Sequence, residues 1–340
     1  MRSAKEIIEE CYLRRYPSTR LLAKNEAAKR SKEDESFSKL PSSCNNDLIL
    51  SIRRMIAKIK NVAYEKIVFD SQNVFLNDRE ESLFLKMLDR YEKNEPISKI
   101  INEKSFWKSE FFIDANVLDP RPETELIIEA IVERFDKKSA LNFLDVGTGS
   151  GCILLSLALE YPNSRGVGID VSPAAVEVAK RNCEELLRSS LQGGHSSTRE
   201  SGALRRFASR NDVYIKEKGI RFLAIDWRDF CESEFDVVVS NPPYVKTADI
   251  PTLDENVRNY DPQLALDGGT TGLDAYASII PLARKWLKPN GSIFLEIGYG
   301  QAESVSGLLK ANGFAIDEIK KDYSGIERVV IARCLSSRSF

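Results

Sequence analysis

The 340-residue sequence predicts an α/β protein, in which a mainly parallel sheet covered by helices follows a small helical domain. Helical apolar spacing dominates residues 1–100 and predicts the helical domain. Beyond Ala140, strand and helix patterns alternate, and such alternation specifies a parallel sheet with helices on both faces. Aromatic and β-branched residues cluster at 106–119 and indicate a hairpin between the two regions.

The composition argues against several kinds of active site and several kinds of partner. Lys and Arg (49) nearly balance Asp and Glu (51), and the net charge of −2 argues against a broad basic surface for nucleic acid. The single histidine, His195, argues against a Ser-His-Asp triad or a multi-histidine metal centre, so we predict no metal site. The six cysteines form no C-x-x-C pair, and no apolar run reaches about 18 residues. These features predict a cytoplasmic protein with reduced thiols and no membrane partner.

Three segments are predicted along the chain. Residues 1–100 form a helical substrate-docking domain with a polar insert at about 18–46. Residues 101–119 form the hairpin linker, and 120–335 form the sheet domain. A Ser/Arg-rich stretch at about 189–211 interrupts the sheet domain and is predicted to be a surface insertion. Because His195 lies in that stretch, we expect no chemical role for it.

The sheet domain is predicted to contain six strands with helices between them. The predicted strands are Leu141–Val146, Gly166–Asp170, Phe222–Asp226, Phe235–Ser240, Ser292–Ile297 and Arg328–Arg333. The predicted helices cover about 152–160, 173–187, 274–287 and 301–312, and Pro122 opens a further helix. Ligands of such folds bind beyond the carboxyl ends of the strands, and the motifs of interest all fall at strand ends.

A glycine-rich turn follows the first strand of this domain. Its sequence, from Asp145 to Gly151, is D-V-G-T-G-S-G, and Asp170 ends the next strand, where a carboxylate can accept both hydroxyls of a ribose. A dinucleotide fingerprint would need glycine at the position of Cys152. The G-x-G-x-G form led by an acid is instead typical of class I, Rossmann-like methyltransferases that bind S-adenosyl-L-methionine (SAM). A plain structural turn and a nucleotide site remain the alternatives.

Two further strand ends carry candidate residues. Asp226 can hydrogen-bond an adenine amino group and the Trp227 indole can pack on the ring, although a helix-capping aspartate beside a buried aromatic explains the pair equally well. Asn241-Pro242-Pro243-Tyr244 follows the apolar strand that ends at Ser240. Two consecutive prolines remove two N–H donors, which leaves carbonyl groups pointing outward. The Asn241 side-chain oxygen and the Pro242 carbonyl would then accept the two hydrogens of a planar –NH2 group.

With these motifs the chain resembles the HemK/PrmC family, the protein-(glutamine-N5) methyltransferases that modify peptide-chain release factors. The similarity runs over most of the chain. It is carried by Asn94-Glu95-Pro96-Ile97, Phe106-Trp107, Pro120–Glu125 (P-R-P-E-T-E), Gly147–Gly151, Asp226-Trp227, Asn241–Val245 and Glu327-Arg328-Val329. The combination of R-P-E-T-E with N-P-P-Y is more specific than either motif alone.

The resemblance implies a class I methyltransferase fold, a role for each motif and a partner. The cofactor SAM, with S-adenosyl-L-homocysteine as product, would contact a set of nine residues, which are Gly147, Thr148, Gly149, Ser150, Gly151, Asp170, Asp226, Trp227 and Asn241. Asn241 and Pro242 would be catalytic and grip the glutamine amide, with Pro243 and Tyr244 shaping its pocket. The substrate would be the glutamine of the Gly-Gly-Gln loop in class 1 release factors. We predict a monomer without a direct nucleic-acid partner.

Three alternatives share some of these features. A ribosomal-protein glutamine methyltransferase would carry every motif, and its N-terminal domain would select the partner. A DNA adenine-N6 methyltransferase would grip its base with the same N-P-P-Y, but such enzymes need a basic DNA-facing surface. A SAM-binding protein without catalysis would be expected to lack Asn241 or a loop glycine, and both are present here.

Overall fold

A computed structural model describes residues 1–15, 46–191 and 219–335, which divide into two compact units. The first unit ends at Ile101 and the second begins at Asn102. The polar insert predicted at about 18–46 lies outside the described residues except for Asn46. The insertion predicted at about 189–211, with His195, also lies outside them, apart from residues 189–191 at the end of a helix.

The first unit is mostly helical. Its helices are α1 (Ala4–Arg15), α2 (Asn46–Lys60), α3 (Tyr64–Phe69), α4 (Asp78–Glu92) and α5 (Ile97–Ile101). Their apolar faces enclose a core that includes Ile52, Met55 and Phe84. A short antiparallel pair, β1 (Arg2–Ser3) with β2 (Phe75–Leu76), adds two strands that the helical pattern did not indicate. A pair of two-residue strands is too short to show an alternating pattern.

A hairpin occupies the predicted linker. Strands β3 (Lys104–Phe106) and β4 (Ser109–Phe111) pair antiparallel, and Trp107 takes a positive φ of 55° in the turn between them. The indole of Trp107 donates a hydrogen bond to Glu160 over 2.8 Å, and Phe106 and Phe111 join the core of the second unit. The hairpin is therefore packed onto the sheet domain.

Seven strands form the central sheet, in the order β10-β11-β9-β8-β5-β6-β7. Their ranges are β5 (Asn142–Val146), β6 (Arg165–Asp170), β7 (Ile220–Ala224), β8 (Phe235–Ser240), β9 (Leu287–Glu296), β10 (Phe314–Lys321) and β11 (Glu327–Cys334). Pairing is parallel from β9 to β7, whereas β11 runs antiparallel to both of its neighbours. This mixed sheet confirms the predicted class I methyltransferase fold.

Three strands differ from the prediction, and the first is β9, which begins at Leu287 where the predicted strand began at Ser292. β7 ends at Ala224, two residues before the predicted end at Asp226. The Asp226 carboxylate accepts the backbone N–H of Arg228 over 2.9 Å, and an aspartate that bonds the backbone two residues on favours a turn over a strand. β10 was not predicted, because its pattern of exposed and half-buried residues lacks a clean apolar alternation.

Helices cover both faces of the sheet. They are α6 (Glu125–Arg134), α7 (Cys152–Glu160), α8 (Pro173–Leu191), α9 (Glu255–Arg258), α10 (Asp274–Trp286) and α11 (Ala302–Ala311). Adjacent residues of β5 point to opposite faces, so Phe143 joins one hydrophobic cluster and Leu144 the other. Among the residues that the structure describes, no helix is both long and apolar enough to cross a membrane.

Candidate active site

A cavity of about 390 Å³ lies at the carboxyl end of the parallel strands. Its walls include Gly147 and Gly149 of the glycine loop, Asp170 after β6, Trp227 after β7 and Asn241 after β8. The carboxyl ends of neighbouring parallel strands meet at one edge of the sheet, which explains why motifs distant in sequence share one cavity. The fold therefore brings together the glycine loop, the ribose-site candidate and the N-P-P-Y segment.

The glycine loop has the left-handed backbone that its sequence predicts. Gly147, Gly149 and Gly151 have φ values of 73°, 54° and 78°. At Gly151 the packing adds a second requirement, because a Cβ there would lie 3.1 Å from the Cβ of Ala179. Gly149 instead has open space on its Cβ side, so its backbone is accessible from the cavity.

A buried carboxyl group in β5 supports the glycine loop. Asp145, the last residue but one of β5, is 0% exposed, and its Oδ2 accepts the hydroxyl of Thr148 over 2.7 Å. Its Oδ1 is buried without a hydrogen-bond partner among the described residues. Burial raises the pKa of Asp145 to about 7, and the Thr148 hydroxyl opposes that rise. The contact ties the loop to the strand that precedes it.

Asp170 has a carboxylate that both borders the cavity and holds the loop. Its Oδ2 accepts the N–H of Gly149 and its Oδ1 accepts the N–H of Ser172, each over 2.9 Å. Burial raises the pKa of Asp170, and these two N–H donors counteract the effect. A carboxylate anchored in this way can still accept hydroxyl groups with its remaining lone pairs.

Trp227 and Asp226 are placed differently from each other. The Trp227 indole borders the cavity and donates to the Ser278 hydroxyl over 2.9 Å. The Asp226 carboxylate is paired with Arg228, whose side-chain and backbone hydrogen bonds hold the pKa of Asp226 at about 2. Arg228 lines the cavity, whereas Asp226 does not belong to its wall. Trp227 can therefore contact a planar ring, and the adenine contact assigned to Asp226 stays a prediction.

The N-P-P-Y segment is held by a side-chain contact at its first residue. Asn241 Nδ2 donates to Thr124 Oγ1 over 3.0 Å, so Oδ1 is left available to a bound group. Just before it, the Ser240 hydroxyl donates to the carbonyl of Val146 over 2.7 Å and locks the end of β8 to the end of β5. Asn241 and Pro243 line the cavity, and Pro242 is buried.

The backbone of Tyr244, the last residue of N-P-P-Y, is held by Gln301. Gln301 Nε2 donates to the carbonyls of Tyr244 and Gly272, each over 3.1 Å, and Gln301 Oε1 accepts the N–H of Gly298. A Cβ at Gly272 would lie 2.4 Å from the Tyr244 carbonyl oxygen, so only glycine fits there. Burial raises the pKa of Tyr244 further above its ordinary value, and the phenol stays protonated at neutral pH.

Two residues important to this geometry had no role in the sequence prediction. Thr124 appeared only as part of R-P-E-T-E, and Glu296, the last residue of β9, was not singled out. Glu296 is 2% exposed, and its Oε2 is buried without a partner among the described residues. Burial raises its pKa to about 7, and the nearby Thr124 hydroxyl opposes this. The sequence signal that could have found Glu296 is a charged residue at the end of an apolar strand.

The charged residues around R-P-E-T-E have structural partners. Arg121 forms an ion pair with Asp261 over 2.6 Å, and Asp261 also accepts the backbone N–H of Asp119. Glu125 accepts the backbone N–H of Trp107 over 2.8 Å. Arg121 thereby holds the loop after N-P-P-Y, and Glu125 holds the hairpin.

Two family models match parts of the second unit. A methyltransferase domain model matches residues 137–191, which include the glycine loop and Asp170. A model described as Eco57I restriction-modification methylase matches residues 165–297, which include the N-P-P-Y segment. Together with the sheet order and the cavity, these matches define the protein as a class I methyltransferase.

Individual relatives identify the family within this class. The chain is 39% identical over 247 residues to a release factor glutamine methyltransferase of Rhodospirillum rubrum, covering 73% of this chain and 67% of the relative. It is 39% identical to the enzyme of that name from Caulobacter vibrioides, covering 72% and 75%. The Agrobacterium fabrum enzyme is 31% identical, covering 84% and 91%. The chain belongs to the release factor glutamine methyltransferase family.

Among solved structures, a methyltransferase from Pyrococcus furiosus is similar with a TM-score of 0.45 and 16% identity, covering 74% of this chain and 99% of that one.

Proposed function

We propose that this enzyme transfers the methyl group of SAM to the side-chain amide nitrogen of the glutamine in the Gly-Gly-Gln motif of class 1 release factors. The observation that carries the proposal is the Asn241 amide, which lines the cavity with Nδ2 bonded to Thr124 and Oδ1 available. Membership in a family whose relatives bear the name release factor glutamine methyltransferase supports the choice of substrate.

The cavity fits SAM in the chemistry of its donors and acceptors. The exposed backbone of Gly147 and Gly149 leaves room for the methionine part, with Thr148, Ser150 and Gly151 completing the loop. Asp170 would accept the ribose hydroxyls, and the Trp227 ring would pack near the adenine. Bound SAM supplies an electrophilic methyl group, and S-adenosyl-L-homocysteine is the product.

The residues on the acceptor side would promote methyl transfer by positioning the glutamine amide. Asn241 Oδ1 and the Pro242 carbonyl would each accept one hydrogen of the glutamine –NH2, while Pro243 and Tyr244 border its pocket. Two acceptors aimed at the two hydrogens fix the plane of the amide and keep its nitrogen lone pair out of that plane, toward the methyl donor. The nitrogen can lose its extra proton after the methyl group arrives, so no histidine is needed. The first unit would hold the release factor, and we expect a monomeric enzyme.

The test is methyl transfer from radiolabelled SAM to three acceptors in parallel. They are a purified class 1 release factor, its variant with the Gly-Gly-Gln glutamine replaced by alanine, and duplex DNA. We expect label on the wild-type factor alone. Label on the alanine variant would contradict glutamine as the acceptor, and label on DNA alone would replace the proposal with adenine methylation. A ribosomal-protein fraction as a fourth acceptor tests the remaining alternative.

A further inference from the structure

One side chain, that of Gln301 just before α11, joins three segments of the chain around the N-P-P-Y motif. Its Nε2 donates to the backbone carbonyls of Tyr244 and Gly272, each over 3.1 Å. Its Oε1 accepts the backbone N–H of Gly298 over 2.9 Å. These partners lie after β8, before α10 and after β9. The amide therefore uses both its donor and its acceptor ends on backbone groups.

The N-P-P-Y backbone depends on contacts of this kind. Pro242 and Pro243 carry no N–H, so the two residues cannot be held by donors of their own. The chain is held where it leaves the motif, because the Val245 N–H donates to the Leu266 carbonyl over 3.0 Å. The Val245 carbonyl in turn accepts the N–H of Gly268 over 2.8 Å. The bonds that fix the prolines on this side therefore belong to the residues after them.

Residues 266–272, with the sequence L-D-G-G-T-T-G, pack against the motif at a distance that requires glycine. A Cβ at Gly268 would lie 2.8 Å from the Pro243 carbonyl oxygen, and a Cβ at Gly272 would lie 2.4 Å from the Tyr244 carbonyl oxygen. Two consecutive carbonyl groups of the motif are therefore in close contact with this segment. The glutamine amide bonds to both sides of that contact.

We propose that Gln301 is a positioning residue for methyl transfer, which fixes the Pro242 carbonyl as the second acceptor of the substrate amide. The proposal rests on the function proposed above and adds to it the support of the backbone acceptor, whereas Asn241 supplies the side-chain acceptor. The ring of Pro243 locks its φ, so a bond at the Tyr244 carbonyl restricts the orientation of the Pro242 carbonyl. In this scheme Gln301 acts through the backbone and does not contact the reacting atoms.

The location of Gln301 separates its role from cofactor binding. Gln301 and Tyr244 border a second cavity of about 680 Å³, whereas the wall of the cavity proposed for SAM includes neither of them. Its loss should therefore lower kcat more than the affinity for SAM. The side-chain chemistry is specific as well. At a similar length, an ionised glutamate only accepts hydrogen bonds, and methionine has no donor and only a weak acceptor.

The experiment compares Gln301→Met and Gln301→Glu with wild type at pH 8, using release factor methylation and calorimetric SAM binding. Methionine keeps the length without the hydrogen bonds, so kcat should fall at least about tenfold while the Kd for SAM stays within about threefold. Glutamate can still accept the Gly298 N–H, but it places a negative charge against two carbonyl oxygens. Its kcat should therefore be lower than that of Gln301→Met.

Two results would contradict the positioning role. The first is a kcat for Gln301→Met within about threefold of wild type, or a larger change in the Kd for SAM than in kcat. The second is a Gln301→Glu enzyme that is more active than Gln301→Met. Lys310→Met, which places the same side chain at an exposed position of α11, is the control and should change neither quantity. Circular dichroism and the melting temperature identify any variant that fails to fold.

A glycine pair tests the same contact without changing Gln301. Gly272→Ala adds a methyl group that meets the Tyr244 carbonyl, so its kcat should fall as in Gln301→Met. Gly325→Ala adds a methyl group at a similar φ of 81°, where no described atom lies within 4 Å of it, and should keep kcat within about threefold of wild type. Equal kcat values in the two alanine variants would mean that the contact at Tyr244 does not control turnover.

Hydrogen exchange gives a readout that needs no turnover and keeps the two proposals separable. Because the prolines carry no amide hydrogen, a peptide spanning residues 242–246 reports only on the three residues after them. Its exchange should be faster in Gln301→Met than in wild type and unchanged in Lys310→Met, with a peptide from β11 as the internal reference. Equal exchange in Gln301→Met and wild type would overturn the positioning role. If wild type methylates no release factor, the proposed function fails, and the exchange still decides whether Gln301 holds this backbone.

Discussion

Asp145 and Glu296 are two buried carboxyl groups that lie on either side of β8, at the ends of β5 and β9. Each has one oxygen without a hydrogen-bond partner among the described residues, and burial raises the pKa of each to about 7. Asp145 accepts the hydroxyl of Thr148, in the glycine loop. Near Glu296, a second threonine, Thr124, accepts a hydrogen bond from Asn241.

The difference between the two pairs separates two tasks. The Asp145–Thr148 contact is local in sequence and ends in the loop proposed to hold the cofactor. The Thr124–Asn241 contact joins distant segments and involves the side chain proposed to hold the acceptor. Similar chemistry therefore stabilises the backbone on one side of the cavity and orients a side-chain amide on the other. Loss of the first should affect SAM affinity, and loss of the second should affect turnover.

Removal of Asn241 tests the acceptor side most strongly. Asn241→Ala deletes one of the two acceptors for the amide hydrogens, and kcat should fall by about 10²–10³-fold, the usual cost of a lost positioned transition-state contact. SAM affinity should fall by no more than about threefold, because Asn241 is one of nine expected SAM contacts, and the glycine loop and Asp170 are untouched. Turnover and calorimetric binding measure the two quantities. Asn256→Ala, at an exposed position in α9, is the control.

Retained turnover in Asn241→Ala would contradict the central role of the side-chain oxygen. An equal loss of SAM affinity and turnover would remove the distinction between the two sides of the cavity.

Removal of Asp170 tests the cofactor side. Asp170→Ala loses the acceptor for the Gly149 and Ser172 N–H groups as well as the proposed ribose contact. The Kd for SAM should rise about 10- to 100-fold, while kcat at saturating SAM stays within a few-fold. Titration calorimetry checks the affinity, with Asp249→Ala at an exposed position as control. Unchanged affinity would rule out the ribose role.

A buried amide, Asn182 in α8, adds stability on the cofactor side. It is 1% exposed, accepts the N–H of Phe112, and donates to the carbonyls of Phe112 and Ser150. Asn182→Ala leaves these backbone groups without partners and should lower the free energy of unfolding by about 2–3 kcal/mol.

Urea unfolding followed by tryptophan fluorescence measures this loss, since the three tryptophans all lie in the second unit. Asn73→Ala, at an exposed position in the first unit, should not change that transition. If Asn182→Ala changes the free energy of unfolding as little as Asn73→Ala does, water replaces the lost hydrogen bonds.

The smallest effect expected is a pH dependence of turnover. The pKa of Glu296 is raised by burial and by Glu123, and lowered by Thr124, Arg328 and Arg121, to about 7. Tyr244 and Tyr276 also face it and stay neutral. As pH falls through about 7, Glu296 gains a proton, and the negative charge near the Thr124–Asn241 contact is lost. Wild-type kcat should then fall a few-fold, about the size of one relaxed hydrogen bond.

A pH–rate profile from pH 6 to 8.5 checks this, and Glu296→Gln should lack the step. A step of the same size and midpoint in Glu296→Gln would assign it to another group.

The sequence predicted the local parts of this site and missed the long-range ones. The glycine loop, Asp170 and N-P-P-Y were all predicted because each lies within one strand–turn unit whose residues are adjacent in sequence. Thr124 meets Asn241 only in the folded protein, and Glu296 comes close to the end of β8 only through the pairing of β8 with β9. No spacing in the sequence encodes either relation. The early end of β7 was missed because it depends on the Asp226–Arg228 turn.

The most direct test of this division is a crossed pair of variants. Thr148→Val removes the hydroxyl that Asp145 accepts, and Thr124→Val removes the hydroxyl that accepts from Asn241. The Kd for SAM and kcat at saturating SAM are measured for both variants. We predict that Thr148→Val weakens SAM binding by about 3- to 10-fold with kcat retained, and that Thr124→Val does the reverse. If both variants change the same quantity, the Asp145–Thr148 and Thr124–Asn241 contacts do not divide cofactor binding from acceptor orientation.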